Sequence, residues 1–153
     1  MKNIKLLIVI VALSIVSIAQ AQIEPIDKNG LAIGGYDVVA YFSGTATKGF
    51  KSFSTKHNGA TYYFASKDNR EAFKKSPRQY LPQYDGYCAW AVGAKEAKFP
   101  INPETFDIVD GKLYLFYNAP FQGEVFDTSR PWNAETTKLL TAGKKNWPKI
   151  KKS

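Results

Sequence analysis

Residues 61–80 read Thr61-Tyr62-Tyr63-Phe64-Ala65-Ser66-Lys67-Asp68-Asn69-Arg70-Glu71-Ala72-Phe73-Lys74-Lys75-Ser76-Pro77-Arg78-Gln79-Tyr80. A short aromatic run of strand-forming residues passes directly into Ser66, a good helix N-cap, and Asp68 puts negative charge in the first helical turn. Ala72 and Phe73 give that helix an apolar face. Pro77 stops it, because its ring clashes with the preceding turn and it has no N–H to donate. Pro77–Leu81 suits one further turn, so the segment predicts a strand followed by a pair of short helices.

Working outward from this segment, His57-Asn58-Gly59 turns the chain into Thr61–Phe64. Asn-Gly supplies the positive φ angles of a tight hairpin, so Phe50–Lys56 is the partner strand, although neither of its faces is cleanly apolar. Further upstream, Val38-Val39-Ala40-Tyr41-Phe42 is β-branched and aromatic and predicts a buried strand. Ile23–Leu31 predicts an extended lead-in with a turn at Asp27-Lys28-Asn29-Gly30. Downstream, Gly86 opens a short apolar helix through Tyr87, Cys88, Ala89, Trp90, Ala91 and Val92 that closes near Gly93. Thr105–Val109 and Lys112–Tyr117 flank Asp110-Gly111 and predict a second hairpin. Asn133 is placed to cap a last helix running to Asn146, with Pro148 ending it. The order predicts an α+β fold: a small antiparallel sheet built from hairpins, a central short helix pair and a C-terminal helix.

Residues 1–21 predict a signal peptide. Lys2 and Lys5 form a positive n-region, Leu6 to Ile18 is apolar apart from Ser14 and Ser17, and Ala19-Gln20-Ala21 offers a small-x-small cleavage site. The apolar run is shorter than the roughly 20 residues that span a bilayer. Export to the periplasm or the medium is therefore expected, with residues 22–153 forming one domain. The formal net charge is +8. Its excess is concentrated in the basic tail from Lys144 to Lys152, which reads as a solvated end, and export disfavours nucleic acid as a partner. A single cysteine excludes an intramolecular disulfide, so stability must come from packing, which the 14% aromatic content suits. Met1 is the only methionine, so a methionine-rich copper site is excluded.

Gly35-Tyr36-Asp37-Val38-Val39-Ala40-Tyr41-Phe42, the segment Tyr63-Phe64-Ala65-Ser66 through Asn69, Phe73, Pro77 and Tyr80, and Pro82-Gln83-Tyr84-Asp85-Gly86-Tyr87-Cys88-Ala89 together resemble the exported, single-cysteine branch of the YHS domain family. The hairpin Asp110–Leu115 and Asn146-Trp147-Pro148 agree with it. The resemblance covers nearly all of residues 22–153. It implies a small α+β module and, in some members, a soft or borderline metal. In the cysteine-rich branch thiols follow the Tyr-Phe pair and recur four residues later, and those places hold Ala65 and Asn69 here. That metal site is not inherited, and one Cys with one His leaves too few ligands for a closed structural zinc site.

The candidate metal ligands are Cys88 and His57. A thiol at a helix N-terminus is favoured as thiolate and suits Cu(I), so copper is the first metal to test. The competing reading makes Cys88 a small buried apolar residue and His57 a turn residue. Two chains each giving Cys88 would solve the ligand shortage as a homodimer, and the same geometry would also permit an intermolecular disulfide. Tyr36, Asp37, Tyr84 and Tyr87 are the candidate ligand-binding residues. For Asp37 the alternative is a backbone anchor that fixes a turn, and Trp90 is expected in the core. No phosphate-binding loop or dinucleotide fingerprint is present, and strand geometry points Glu104 and Asp107 to opposite faces. Nothing therefore requires an enzyme. The expectation is an exported, non-enzymatic protein binding a metal or small ligand near Cys88. The alternative is a metal-free module that docks a protein partner of the cell envelope.

Overall fold

The computed structural model describes residues 22–153. The predicted signal peptide, residues 1–21, lies outside them. The architecture is α+β, with three separate antiparallel two-stranded sheets, each a hairpin, and short helices between and after them. Strand β1 (Phe50–His57) pairs with β2 (Ala60–Phe64), and two short helices follow, α1 (Lys67–Lys75) and α2 (Pro77–Tyr80). Helix α3 (Ala89–Lys95) precedes the hairpins β3 (Asn102–Val109) with β4 (Lys112–Phe116) and β5 (Asn118–Phe121) with β6 (Glu124–Asp127). Helices α4 (Ser129–Ala134) and α5 (Thr136–Ile150) complete the chain.

Each hairpin turns on a residue with positive φ followed by a glycine with positive φ: Asn58-Gly59, Asp110-Gly111 and Gln122-Gly123. Two successive left-handed residues match the twist of the flanking strands. The first two turns agree with the sequence reading. The third hairpin was not anticipated, because Gln122-Gly123 is a weaker turn signal than Asn-Gly or Asp-Gly. Ser66 caps α1 as expected, its Oγ accepting from Asn69 N at 3.1 Å. The Asp27 turn also forms, with Asp27 Oδ1 accepting from Asn29 N and Leu31 N.

The predicted strand at Val38–Phe42 is instead a 3-10 turn over Ala40–Ser43. Asp37 is the cause: its Oδ1 accepts from Val39 N at 2.8 Å and Ala40 N at 3.2 Å, which curls the backbone as an N-cap does. The residues stay apolar because the turn is internal, with Val38 and Tyr41 fully buried. Asn133 lies inside α4 and does not start a helix, and α5 runs through Pro148 to Ile150. Tertiary contacts hold that last turn in place. Asn146 Nδ2 donates to Val92 O and Gly93 O, and the Trp147 ring packs on Tyr84 and Tyr87.

Two buried clusters form the interior. One gathers Ile33, Val38, Tyr41, Phe64, Phe73, Cys88, Ile101, Leu113 and Leu115. The other centres on Trp132 with Tyr114, Phe116, Ala89 and Leu139, and Trp90 packs against both. Consecutive residues Leu113 to Phe116 are all buried, so β4 serves both clusters with its two faces.

Candidate functional site

Cys88 stands at the N-cap of α3, as the sequence predicted, but it is not a reactive thiol. Its exposure is 0%, and its Sγ lies 3.3 Å from Thr128 Oγ1, itself buried. Burial raises the thiol above its ordinary value of 9.0, against the lowering effect of the Thr128 hydroxyl and nearby backbone groups. Desolvation therefore outweighs the helix terminus, and the group is held as a thiol. His57 sits elsewhere, at the end of β1, with its ring edge-on to Phe73 at 5.6 Å between centroids. It lines a depression with Ile26, Asn58, Tyr62 and Asp85 in which Cys88 has no part. No group of three or more His, Cys, Asp or Glu side chains converges on a metal-sized position among the described residues. The buried thiol and the imidazole beside Phe73 thus have different surroundings. A disulfide between two copies would require Cys88 to leave the interior.

Asp37 is fully buried, and its carboxylate is consumed by the fold. Besides the two turn N–H groups, its Oδ2 accepts from Ala65 N at 2.8 Å and Asn69 Nδ2 at 2.7 Å. Ala65 and Asn69 are the two positions that the sequence comparison singled out for lacking a thiol. Here they clamp a carboxylate. Asp37 is therefore a backbone anchor and forms no ligand wall. Tyr36, next to it, points outward: its hydroxyl donates to Glu104 Oε1 at 3.0 Å and Lys48 Nζ sits 4.3 Å over its ring.

Tyr84 and Tyr87 do come together, around Asp85. Tyr84, Asp85 and Gly86 all have positive φ, a conformation costly for the first two. Tyr84 is held by its contacts with Gly143, Tyr114 and Trp147, and burial pushes its hydroxyl up to about 12. Asp85 has an exposed ion pair with Lys151 at 3.5 Å. Tyr87 and Trp147 form the wall of a shallow cleft beside it, into which Lys98 and Lys151 already fold.

An apolar cavity among the described residues was not read from the sequence. Trp90, Lys95, Phe99, Pro100, Tyr117, Phe121 and Phe126 line a groove of about 550 Å³. Trp90 was expected in the core, but it is only half-buried, and its ring meets Phe126 edge-on at 5.3 Å. The groove is built on the Cys88 locus. Cys88 N donates to Phe99 O at 3.1 Å, and Thr128 Oγ1, beside the thiol, donates to Tyr117 O at 2.9 Å. Cys88 and Thr128 therefore fix two of the groove's walls from behind. The β5–β6 hairpin forms the outer wall, and Phe121 (55%) and Val125 (70%) remain exposed there. Phe121 and Phe126 face one another across Gln122-Gly123, which was the one available sequence signal.

The site so defined is an aromatic groove on a small α+β scaffold. Comparison with family models, curated proteins and solved structures gave no match.

Proposed function

We propose that the chain is an exported, non-enzymatic YHS-like protein that binds a small apolar molecule in the Trp90–Phe99–Tyr117–Phe126 groove beside Cys88. One observation carries this reading: an almost wholly apolar groove of about 550 Å³ whose walls are pinned by hydrogen bonds from Cys88 and Thr128. Preformed apolar cavities of this size, roughly 300–1,000 Å³, are the usual form of small-molecule sites. Apart from Lys95 and Pro100 the lining is aromatic, which suits an apolar ligand. The YHS resemblance supports the class, and the features of residues 1–21 support export.

The test is a titration with Nile red, a neutral apolar dye, followed by dye emission and by quenching of tryptophan fluorescence. Saturable binding weakened by Phe121→Asp is expected, and because Phe121 is half-exposed that variant keeps its fold. Absence of saturable binding would overturn the reading. A Cu(I) titration beside Cys88→Ala belongs with it, since tight binding lost in that variant would return the metal to Cys88. The exposure of Phe121 and Val125 favours a second reading, docking of an envelope protein on the hairpin. Under that reading a partner would be captured equally well with and without bound dye.

A further inference from the structure

We infer that the occupant of the groove is a free single-chain amphiphile with an anionic head, its apolar chain against Phe99, Tyr117, Phe121 and Phe126 and its head at Lys95. This rests on the groove being a binding site, and it adds the class of ligand. Lys95 is the one charged residue in the lining, and its Nζ lies 5.5 Å over the Trp90 ring at the groove's lip. The neighbouring cations are already engaged. Lys149 pairs with Glu96 at 2.9 Å, Lys151 pairs with Asp85, and Lys98 donates to Lys151 O and Ser153 O. No ion pair among the described residues uses Lys95.

An ammonium without a carboxylate partner, set at the mouth of an apolar cavity, matches an apolar chain ending in an anion. The positive net charge, +8 with Lys2 and Lys5 of the signal segment counted, draws anionic ligands from a distance. The β5–β6 hairpin supplies the remaining argument. A chain lying along the groove would cover the exposed face of Phe121, which otherwise stays in water at a cost proportional to its apolar area. The cavity's volume suits one chain, so a free amphiphile fits better than a bilayer surface.

The experiment is displacement of Nile red from the purified protein by myristate and by tetradecanol, which share a chain length and differ in the head. At low ionic strength myristate should displace the dye about fivefold more tightly, the size of an exposed ion pair. Lys95→Met should abolish that difference, each compound's displacement being read against the variant's own affinity for the dye, and added salt should narrow it. Dye binding with equal displacement by both compounds would overturn the anionic head and leave the apolar groove standing. Absence of dye binding would overturn both. Co-sedimentation with phosphatidylglycerol vesicles that myristate fails to compete away would overturn the free amphiphile in favour of a lipid surface.

Discussion

Asp37 accepts from four donors: Val39 N, Ala40 N, Ala65 N and Asn69 Nδ2. A buried carboxylate is tolerated when its lone pairs are filled, and here they join the 3-10 turn to the start of α1. Asp37→Ala would strand Ala65 N and the Asn69 amide without acceptors, at a cost of about 3 kcal/mol in denaturant unfolding. Asp37→Asn should cost less. A variant as stable as the parent would show that the clamp contributes nothing. Cys88 belongs at the same scale. Its burial and raised pKa predict that iodoacetamide labels it at neutral pH only as fast as the chain opens, with the rate rising steeply in denaturant. Fast labelling in native buffer would contradict a buried thiol. The residue type was legible in the sequence and the state of the group was not, because desolvation is set by what packs over the helix terminus.

At the scale of elements, α3 and α5 approach closely at Gly93. A Cβ there would lie 2.8 Å from Leu139 O and 3.3 Å from Leu139 Cα, both on α5 backbone that has little room to give. Gly93→Ala should therefore destabilise by about 1–2 kcal/mol despite alanine's better helix propensity. A rise in Tm would mean that the helices part without cost. The turn Tyr84-Asp85-Gly86 points the other way. Asp85 holds φ +51° with only an exposed ion pair in return, so Asp85→Gly should stabilise the protein by about 0.5 kcal/mol. Unchanged or lower stability would mean that the Lys151 pair outweighs the backbone strain. Two hairpins were legible because Asn58-Gly59 and Asp110-Gly111 state their turn chemistry locally. The third rests on Gln122-Gly123, and the 3-10 turn at Ala40–Ser43 depends on where the Asp37 carboxylate points. Neither pattern has a period that sequence can reveal.

Across the whole molecule, burial raises the pKa of Cys88 and of Tyr36, Tyr41, Tyr62, Tyr84, Tyr87 and Tyr114. Each group holds its proton more tightly folded than unfolded. Their contribution to stability is therefore complete below the unfolded values of 9.0 for the thiol and 10.0 for the phenols. It is lost as pH rises through the folded values, about 12 for Tyr84. Thermal unfolding should show a Tm set by these groups that is flat from about pH 6 to 8.5 and falls above about pH 10. Tyrosinate absorbance of the native protein should lag that of the denatured chain. A Tm unchanged to about pH 11 would contradict burial of these hydroxyls.

The α+β class, two of the three hairpins, the Ser66-capped helix and the position of Cys88 at a helix start were determined by the sequence itself. Turn chemistry, capping and proline are local, and a few adjacent residues settle each of them. Only the tertiary structure decided that Cys88 is sealed behind Thr128, that His57 lies edge-on to Phe73, and that Asn69 clamps Asp37. It alone assembled the aromatic groove, whose walls come from α3, the Phe99-Pro100 segment, Tyr117 and the β5–β6 hairpin. Those residues span positions 90 to 126, and their convergence depends on how separate elements pack, which no local pattern of side chains encodes.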